Sequence, residues 1–210
     1  MDFLEPLNRV LPADLPHRET LVAKAAQHLD AIVAANEYMN LTRILDPRDA
    51  AIKHIYDSIA PWQLFRNTRR VLDAGTGAGF PGIPLSIVLP DTEFILAESI
   101  GKKARFVEAT VEALHLPNVR VLTERAERVV ELTHTDVITA RAVAPLDRLL
   151  ELFAKALKKG SRLLLYKGPD VEQELSVARK HRVRAEIIYR YDLPEEMGSR
   201  VIVQVQNAKN

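Results

Sequence analysis

Cysteine is absent from the 210-residue chain, so disulfides and thiolate–metal sites are excluded and a reducing cytoplasm is the natural setting. Long apolar runs are missing too. None approaches the roughly 20 residues of a membrane span, and the opening MDFLEPLNRV lacks the basic start and apolar block of a signal peptide. No internal repeat or low-complexity segment interrupts the sequence. Nor is there a strong excess of charge, the formal net value being +1 at pH 7. That small figure hides an asymmetry: residues 1–60 carry six Lys and Arg against nine Asp and Glu, and residues 61–210 carry 23 against 19. A mildly basic C-terminal part permits a polyanionic partner without demanding one. With 47% hydrophobic and 27% charged residues, the composition is that of a soluble globular protein able to bury a core without staples.

Glycine is scarce as well, eight residues in all, yet four of them stand between positions 75 and 82. They belong to VLDAGTGAGFPGIP, Val71–Pro84. Val71 and Leu72 end a short apolar run that reads as a buried strand. Asp73 starts a D-x-G-x-G-x-G turn through Gly75, Gly77 and Gly79, and helical spacing follows from Pro81 to Leu89. Strand, glycine turn and helix form the opening unit of a nucleotide-binding α/β domain. The third glycine of the dinucleotide pattern G-x-G-x-x-G would fall on Phe80, so that pattern is not met. The charge of Asp73 would also repel a pyrophosphate. It suits a ligand bearing positive charge, and S-adenosylmethionine carries an ammonium and a sulfonium but no phosphate.

Residues 1–60 read as helical. Leu21, Ala25, Leu29 and Ile32/Val33 mark one apolar face of a helix from about His17 to Asn36. Asp46-Pro47 can cap a second helix through Ile59, in which Asp57 lies three residues past His54 and so on the same face. A hydrogen-bonded pair is the expected role for these two. From Arg69 onward strand and helix signals alternate. Strands are expected at Val71–Asp73, Glu93–Glu98, Asn118–Leu122, Asp136–Ala140 and Arg162–Tyr166, which implies a parallel sheet with right-handed crossovers. Arg184–Tyr191 and Arg200–Gln206 are separated by a turn too short for a crossover helix and should close the sheet as an antiparallel hairpin. Five parallel strands closed by such a hairpin resemble, by analogy of fold, the α/β class I S-adenosylmethionine-dependent methyltransferases, with a Rossmann-like, mainly parallel seven-stranded sheet. Residues 1–66 form an N-terminal helical extension and 67–210 the methyltransferase domain.

In such a sheet the ligand contacts come from the C-terminal ends of the strands. Asp73, Gly75 and Gly77 follow the first strand. Glu98 ends the second, at the offset where an acidic side chain takes ribose hydroxyls. Arg125, Ala126 and Glu127 follow the third, where an amide and the Glu127 carboxylate can meet the adenine edge. Arg141 follows the fourth. It stands where enzymes that methylate base amines carry hydrogen-bond acceptors, and an arginine there binds a carboxylate, a phosphate or the O6/N7 edge of guanine. Lys167 follows the fifth strand. Arg125, Arg141 and Lys167 would then ring the mouth of the cofactor site. No metal cluster is expected.

Taken together, Asn40-Leu41-Thr42, His54-Ile55-Tyr56-Asp57-Ser58, the glycine turn with its Phe80-Pro81-Gly82-Ile83-Pro84 tail, Gly101-Lys102-Lys103-Ala104-Arg105-Phe106, Arg141-Ala142 and Lys167-Gly168 resemble the bacterial rRNA small-subunit methyltransferase G family, also called glucose-inhibited division protein B. The resemblance spans nearly the whole chain. It implies methyl transfer from S-adenosylmethionine to N7 of one guanosine in 16S rRNA, with Gly75, Phe80, Ala126, Glu127 and Arg141 as cofactor contacts. Glu98 stands where the family often has Asp, and Gly198-Ser199-Arg200 is less basic than the usual segment. The implied partner is 16S rRNA in the small ribosomal subunit or an assembly intermediate, met by a cytoplasmic monomer with no membrane contact.

N7 of guanine already presents an in-plane lone pair, so no catalytic base is expected, and catalysis should rest on alignment in a dry site. Because methylation leaves the purine cationic, Arg141 is expected to serve the cofactor or O6, while Arg125, Lys167 and Arg200 grip phosphates. Three alternatives stay open here: an NAD-dependent oxidoreductase, a small-molecule methyltransferase, and a non-catalytic RNA-binding module.

Overall fold

The computed structural model describes residues 1–208; residues 209 and 210, the end of the expected 67–210 domain, lie outside them. Seven strands form one sheet in the order β3-β2-β1-β4-β5-β7-β6. They are β1 (Arg70–Ala74), β2 (Glu93–Ala97), β3 (Val119–Leu122), β4 (Val137–Arg141), β5 (Arg162–Lys167), β6 (Val183–Asp192) and β7 (Ser199–Asn207). The first five pair in parallel, and β7 joins β5 and β6 antiparallel. Each strand expected from the sequence is present to within one or two residues.

The strands read as near-continuous apolar runs because both faces are covered. Alternate residues serve the two sides: Val71, Leu164 and Tyr166 join one buried cluster, and Leu72, Leu163 and Leu165 the other. On the second face lie α7 (Ala126–Leu132), α8 (Leu146–Lys158) and α9 (Glu172–Ala178). The first face carries α5 (Gly82–Val88) and α6 (Gly101–Ala113), together with the N-terminal helices.

Those N-terminal helices are α1 (Leu4–Val10), α2 (Arg18–Met39), α3 (Pro47–Ala50) and α4 (Asp57–Ile59). The apolar stripe read on α2 is buried as its spacing required, Leu21, Ala25, Leu29 and Ile32 being at most 2% exposed. Full burial of such a side chain contributes about 1.5–3 kcal/mol. The same cluster runs from Phe3 and Leu7 through Leu29 and Ile55 to Phe94 and Ile202, so the extension and the sheet share one core.

Asp46 caps α3 as expected, its Oδ1 accepting from the Asp49 amide at 3.0 Å with Pro47 in the first turn. The expected single helix to Ile59 is nevertheless interrupted. Ala51–Tyr56 is a π-helical turn, and the Asp57 amide reaches back five residues to the Ile52 carbonyl. A widened turn carries one extra residue, so residues three apart no longer share a face. His54 and Asp57 therefore do not pair. His54 Nε2 meets the Thr42 hydroxyl at 3.1 Å, and Asp57 turns to partners on the sheet.

Candidate active site

The order of the strands reverses between β1 and β4, and the crevice beyond their C-terminal ends is where a ligand is expected. Two clefts open there. One, of about 250 Å³, lies beside Gly75 and is lined by Arg125, Ala126, Glu127 and Val143 among others. The second, of about 470 Å³, lies beyond β4 and β5 and is lined by Lys53, His54, Asp57, Arg141, Lys167 and Arg200 among others. Val143 and Ala144 line both, so the loop after β4 is their common wall.

The smaller cleft is shaped by the glycine turn. Gly75 has φ +67°, and a Cβ added there would sit 3.1 Å from Val143 Cγ2. A side chain would thus be strained and would also occupy the strip between the clefts. At Gly82 an added Cβ would lie 2.2 Å from Leu96 Cδ2 and 2.8 Å from Asp73 Oδ2, so α5 can approach β1 and β2 only without one. The amides of Gly75 and Thr76 donate to the Ala97 carbonyl at 2.9 and 3.1 Å, clipping the turn to β2.

Asp73 does not stand at the lip of this turn. It is fully buried: its Oδ2 accepts from the Thr76 hydroxyl at 2.7 Å and the Gly82 amide at 2.9 Å. Burial pushes its pKa up to about 6 against those two bonds. Its Oδ1 has no partner among the described residues, and such an orphaned acceptor is expected to meet a donor. Glu98 is likewise turned inward, only 6% exposed, accepting from the Gly77 amide at 3.1 Å and the Ile100 amide at 2.8 Å. Each of its oxygens keeps a second lone pair for a hydroxyl donor.

Of the eight residues read as cofactor contacts, Gly75, Ala126 and Glu127 line the smaller cleft and Arg141 the larger. Asp73, Gly77 and Glu98 stand behind the wall and shape it. The ring of Phe80 faces away. It packs against two imidazoles, with centroids 4.7 Å from His28, tilted at 30°, and 4.7 Å from His54, stacked at 8°. This ring fastens the turn to the helical extension, because an aromatic after the glycines is more stable buried against α2 than left at a polar mouth.

The basic residues are engaged with protein partners to different degrees. Arg141 Nη1 donates to the Lys53 carbonyl at 3.1 Å and to Asp57 Oδ2 at 3.0 Å, and its guanidinium lies 5.3 Å from the Phe80 ring. Lys167 is not free to grip a phosphate. Its Nζ donates to the Ala144 carbonyl at 3.2 Å and to Glu174 Oε2 at 2.8 Å, and the side chain is 13% exposed. Arg125 borders the smaller cleft only, so it does not join Arg141 and Lys167 around one mouth; its side chain is 71% exposed. Arg200 lines the larger cleft with its Nε 3.8 Å from Asp57 Oδ1.

Sequence reasoning missed the residues that hold this wall. Tyr191 donates its hydroxyl to Asp57 Oδ1 at 2.8 Å, and Tyr166 donates to the Ser58 carbonyl at 2.7 Å. Burial first, and Asp57 second, raises both phenols above their ordinary range. Tyr166 stands at a strand end and could have been found there; nothing local marks Tyr191. Burial lowers the pKa of His28 to about 4, and burial with the charge of Arg141 lowers that of His54 to about 3. At neutral pH both rings are uncharged, and His54 Nε2 is engaged with Thr42.

The smaller cleft fits S-adenosylmethionine on these observations: a strip beside Gly75 that tolerates no Cβ, the small Ala126 at the start of α7, and the Glu127 carboxylate as an acceptor for hydroxyl or amine donors.

Comparison with known proteins points the same way. The sequence model of a family described as rRNA small subunit methyltransferase G matches residues 21–193. A protein of Solibacter usitatus named ribosomal RNA small subunit methyltransferase G is 53% identical over 210 residues, covering 98% of this chain and 100% of its own. One of the same name from Desulfitobacterium hafniense is 37% identical over 197 residues, covering 90% and 82%. Among solved structures, the fold is similar to that of M. capricolum TrmK in complex with S-adenosyl-homocysteine, with TM-score 0.58 at 15% identity over 72% of this chain and 68% of that one. It is also similar to a precorrin-6y C5,15-methyltransferase from Geobacter metallireducens, with TM-score 0.57 at 13% identity over 71% and 87%.

Proposed function

The chain belongs to the rRNA small subunit methyltransferase G family, and on that premise we propose how its two clefts divide the work of methylating N7 of one guanosine in 16S rRNA. The protein is an S-adenosylmethionine-dependent methyltransferase of small-subunit rRNA. The observation that carries the division is the common wall: a cleft whose lining mixes Gly75 and Ala126 with Glu124, Glu127, Arg125 and Arg148 adjoins a cleft lined by four cations and one carboxylate, and Val143 and Ala144 belong to both.

S-adenosylmethionine, when bound, supplies a methyl group made electrophilic by its sulfonium. Gly75 leaves the strip beside β1 open, Ala126 makes room for a flat ring at the start of α7, and Glu98 and Glu127 accept hydrogen bonds. Asp73 is buried behind the turn and fixes its shape through the Thr76 hydroxyl and the Gly82 amide. In the larger cleft the residues orient and desolvate the acceptor base. No base is required, because the N7 lone pair carries no proton, and the neutral His54 and the occupied Asp57 agree with that. Rate enhancement rests on alignment, for which well-oriented reactants supply up to about 7–11 kcal/mol of barrier reduction. The target guanine has to leave its stack to enter the cleft. Arg125, exposed beside the cofactor cleft, and Arg200 contact phosphates.

We further propose that the substrate is the small subunit or an assembly intermediate, met by a monomer in the cytoplasm. Among the described residues no helix is long and apolar enough to cross a membrane. The test is transfer of a tritiated methyl group to 16S rRNA, followed by nuclease digestion and mass spectrometry. One 7-methylguanosine per rRNA is expected; another methylated nucleoside refutes the acceptor. Calorimetry with the sulfonium cofactor and with NAD should give uptake of the first alone.

A further inference from the structure

The larger cleft is lined by Lys53, Arg141, Lys167 and Arg200, a surplus of positive charge at the place where the acceptor base must sit. Each cation has a carboxylate partner. Asp49 takes Lys53 at 2.7 Å, Glu174 takes Lys167 at 2.8 Å, and Asp57 takes Arg141 at 3.0 Å with Arg200 at 3.8 Å. Of these carboxylates only Asp57 itself lines the cleft, and only Asp57 faces two guanidiniums. It is 5% exposed and fixed from three sides. Its Oδ1 and main-chain carbonyl accept from the Tyr191 hydroxyl at 2.8 and 3.2 Å, and the π turn before it ties its amide to Ile52.

The chemistry of the acceptor gives this arrangement a purpose. As the bond from N7 to the methyl carbon forms, the carbon–sulfur bond breaks and its electron pair stays on sulfur. Positive charge passes to the purine and no proton moves. A cleft presenting four uncompensated cations would oppose that change at every stage.

We propose that Asp57 is the positioning residue for the methyl acceptor: it holds Arg141 and Arg200 back on the cleft wall and offsets their charge, so that the cleft accepts a purine becoming cationic. This rests on the guanine N7 reading above. Asp57 acts through Arg141 and through the field, without proton transfer. The arrangement also explains why the helical extension is built into the site, since α4 supplies the one carboxylate that neither β4 nor β7 carries.

The test compares binding of two RNA oligonucleotides, identical except that the target nucleotide is guanosine in one and 7-methylguanosine in the other. Wild-type protein saturated with cofactor product gives the reference ratio of affinities. Asp57→Asn should lower the preference for the methylated oligonucleotide on the order of tenfold and lower kcat on the order of 100-fold, with cofactor affinity held within about threefold. Arg141→Gln should move the preference the other way. The double variant replaces the pair by neutral groups, a change such pairs often tolerate, and should return the preference to within about threefold of wild type. If either single variant does not fold, the other and the double variant decide. The same preference in every folded variant overturns the role of Asp57. Should wild-type protein yield a methylated nucleoside other than 7-methylguanosine, the acceptor reading falls and this inference falls with it; 7-methylguanosine with invariant preferences removes Asp57 alone.

Discussion

The cofactor side of the site is held by bonds between near neighbours in the chain. The Thr76 hydroxyl and Gly82 amide reach Asp73 across three and nine residues, and the Gly77 amide reaches Glu98 across 21. The acceptor side is held by partners far apart. Arg141 reaches Asp57 across 84 residues, Tyr166 reaches Ser58 across 108, and Tyr191 reaches Asp57 across 134. One side is a strand, a turn and the next strand, and forms wherever those three meet. The other does not exist until the N-terminal helices have packed on the finished sheet. Changes on the acceptor side should therefore register as lost folding free energy, and changes at the rim of the cofactor side as lost affinity.

The largest expected effect breaks the long-range hold outright. Arg141→Ala takes from Asp57, whose side chain is 7% exposed, its nearer cation and leaves Arg200 at 3.8 Å and the Tyr191 hydroxyl. Removing one partner of a buried pair costs about 3–5 kcal/mol, to be read from urea unfolding. A loss below about 1 kcal/mol would show that water already screens this pair.

Acid should act on the same region. His28 and His54 have folded-state pKa values of about 4 and 3 against an ordinary 6.5. As the pH falls below 6.5 the unfolded chain takes up two protons that the folded chain refuses, so stability declines through that window. Asp73 works in the opposite sense. Raised to about 6, it is protonated in the folded chain before it is in the unfolded one, which favours folding as the pH falls from about 6 towards 3.8. The two histidines outweigh it, giving a net loss of about 2 kcal/mol between pH 7 and pH 5. His28→Gln should flatten the unfolding profile over that range. A wild-type profile already flat there would contradict the account.

Phe80→Leu sharpens the comparison where the glycine turn meets the helical extension. It keeps an apolar residue but removes the ring that stacks on His54 and meets His28 at a tilt. A loss of about 1–2 kcal/mol is expected, with cofactor uptake by calorimetry weakened less than in a variant of Gly75. Cofactor affinity abolished at unchanged stability would return the ring to the cofactor site.

The smallest effect on folding belongs to Arg125→Ala. The side chain is 71% exposed and its nearest carboxylate, on Glu127, is 3.9 Å away, so stability should change by less than about 0.5 kcal/mol. Binding of rRNA should weaken, and the slope of log affinity against log salt should fall by about one. An unaltered slope would remove Arg125 from the RNA interface.

The same division of short-range from long-range governs how much could be read in advance. Alternating strand and helix signals placed all seven strands, and the apolar stripe of α2 and the Asp46-Pro47 cap were legible, because period and capping are local properties. The glycine turn was legible as a strand-end bend for the same reason, and Gly75, Ala126 and Glu127 line one cleft beyond the strand ends. Its details were not: Asp73 was expected at the lip and lies inside, and Phe80 was expected at the cofactor and lies against two histidines. Lys167 read as a free cation, but α9 brings Glu174 to it. Asp57 read as the partner of His54, but the π turn shifts the register by one residue, which no spacing argument would reveal.

What the amino-acid sequence determined by itself, then, is the order of the elements, the glycine bend and the chemical class of ligand it suits. What only the tertiary structure decided is which charges are free. An ionic side chain takes its role from the partner that reaches it, and for Asp57, Arg141 and Tyr191 that partner lies up to 134 residues away, brought within hydrogen-bond distance by burial of a core to which both the helical extension and the sheet contribute.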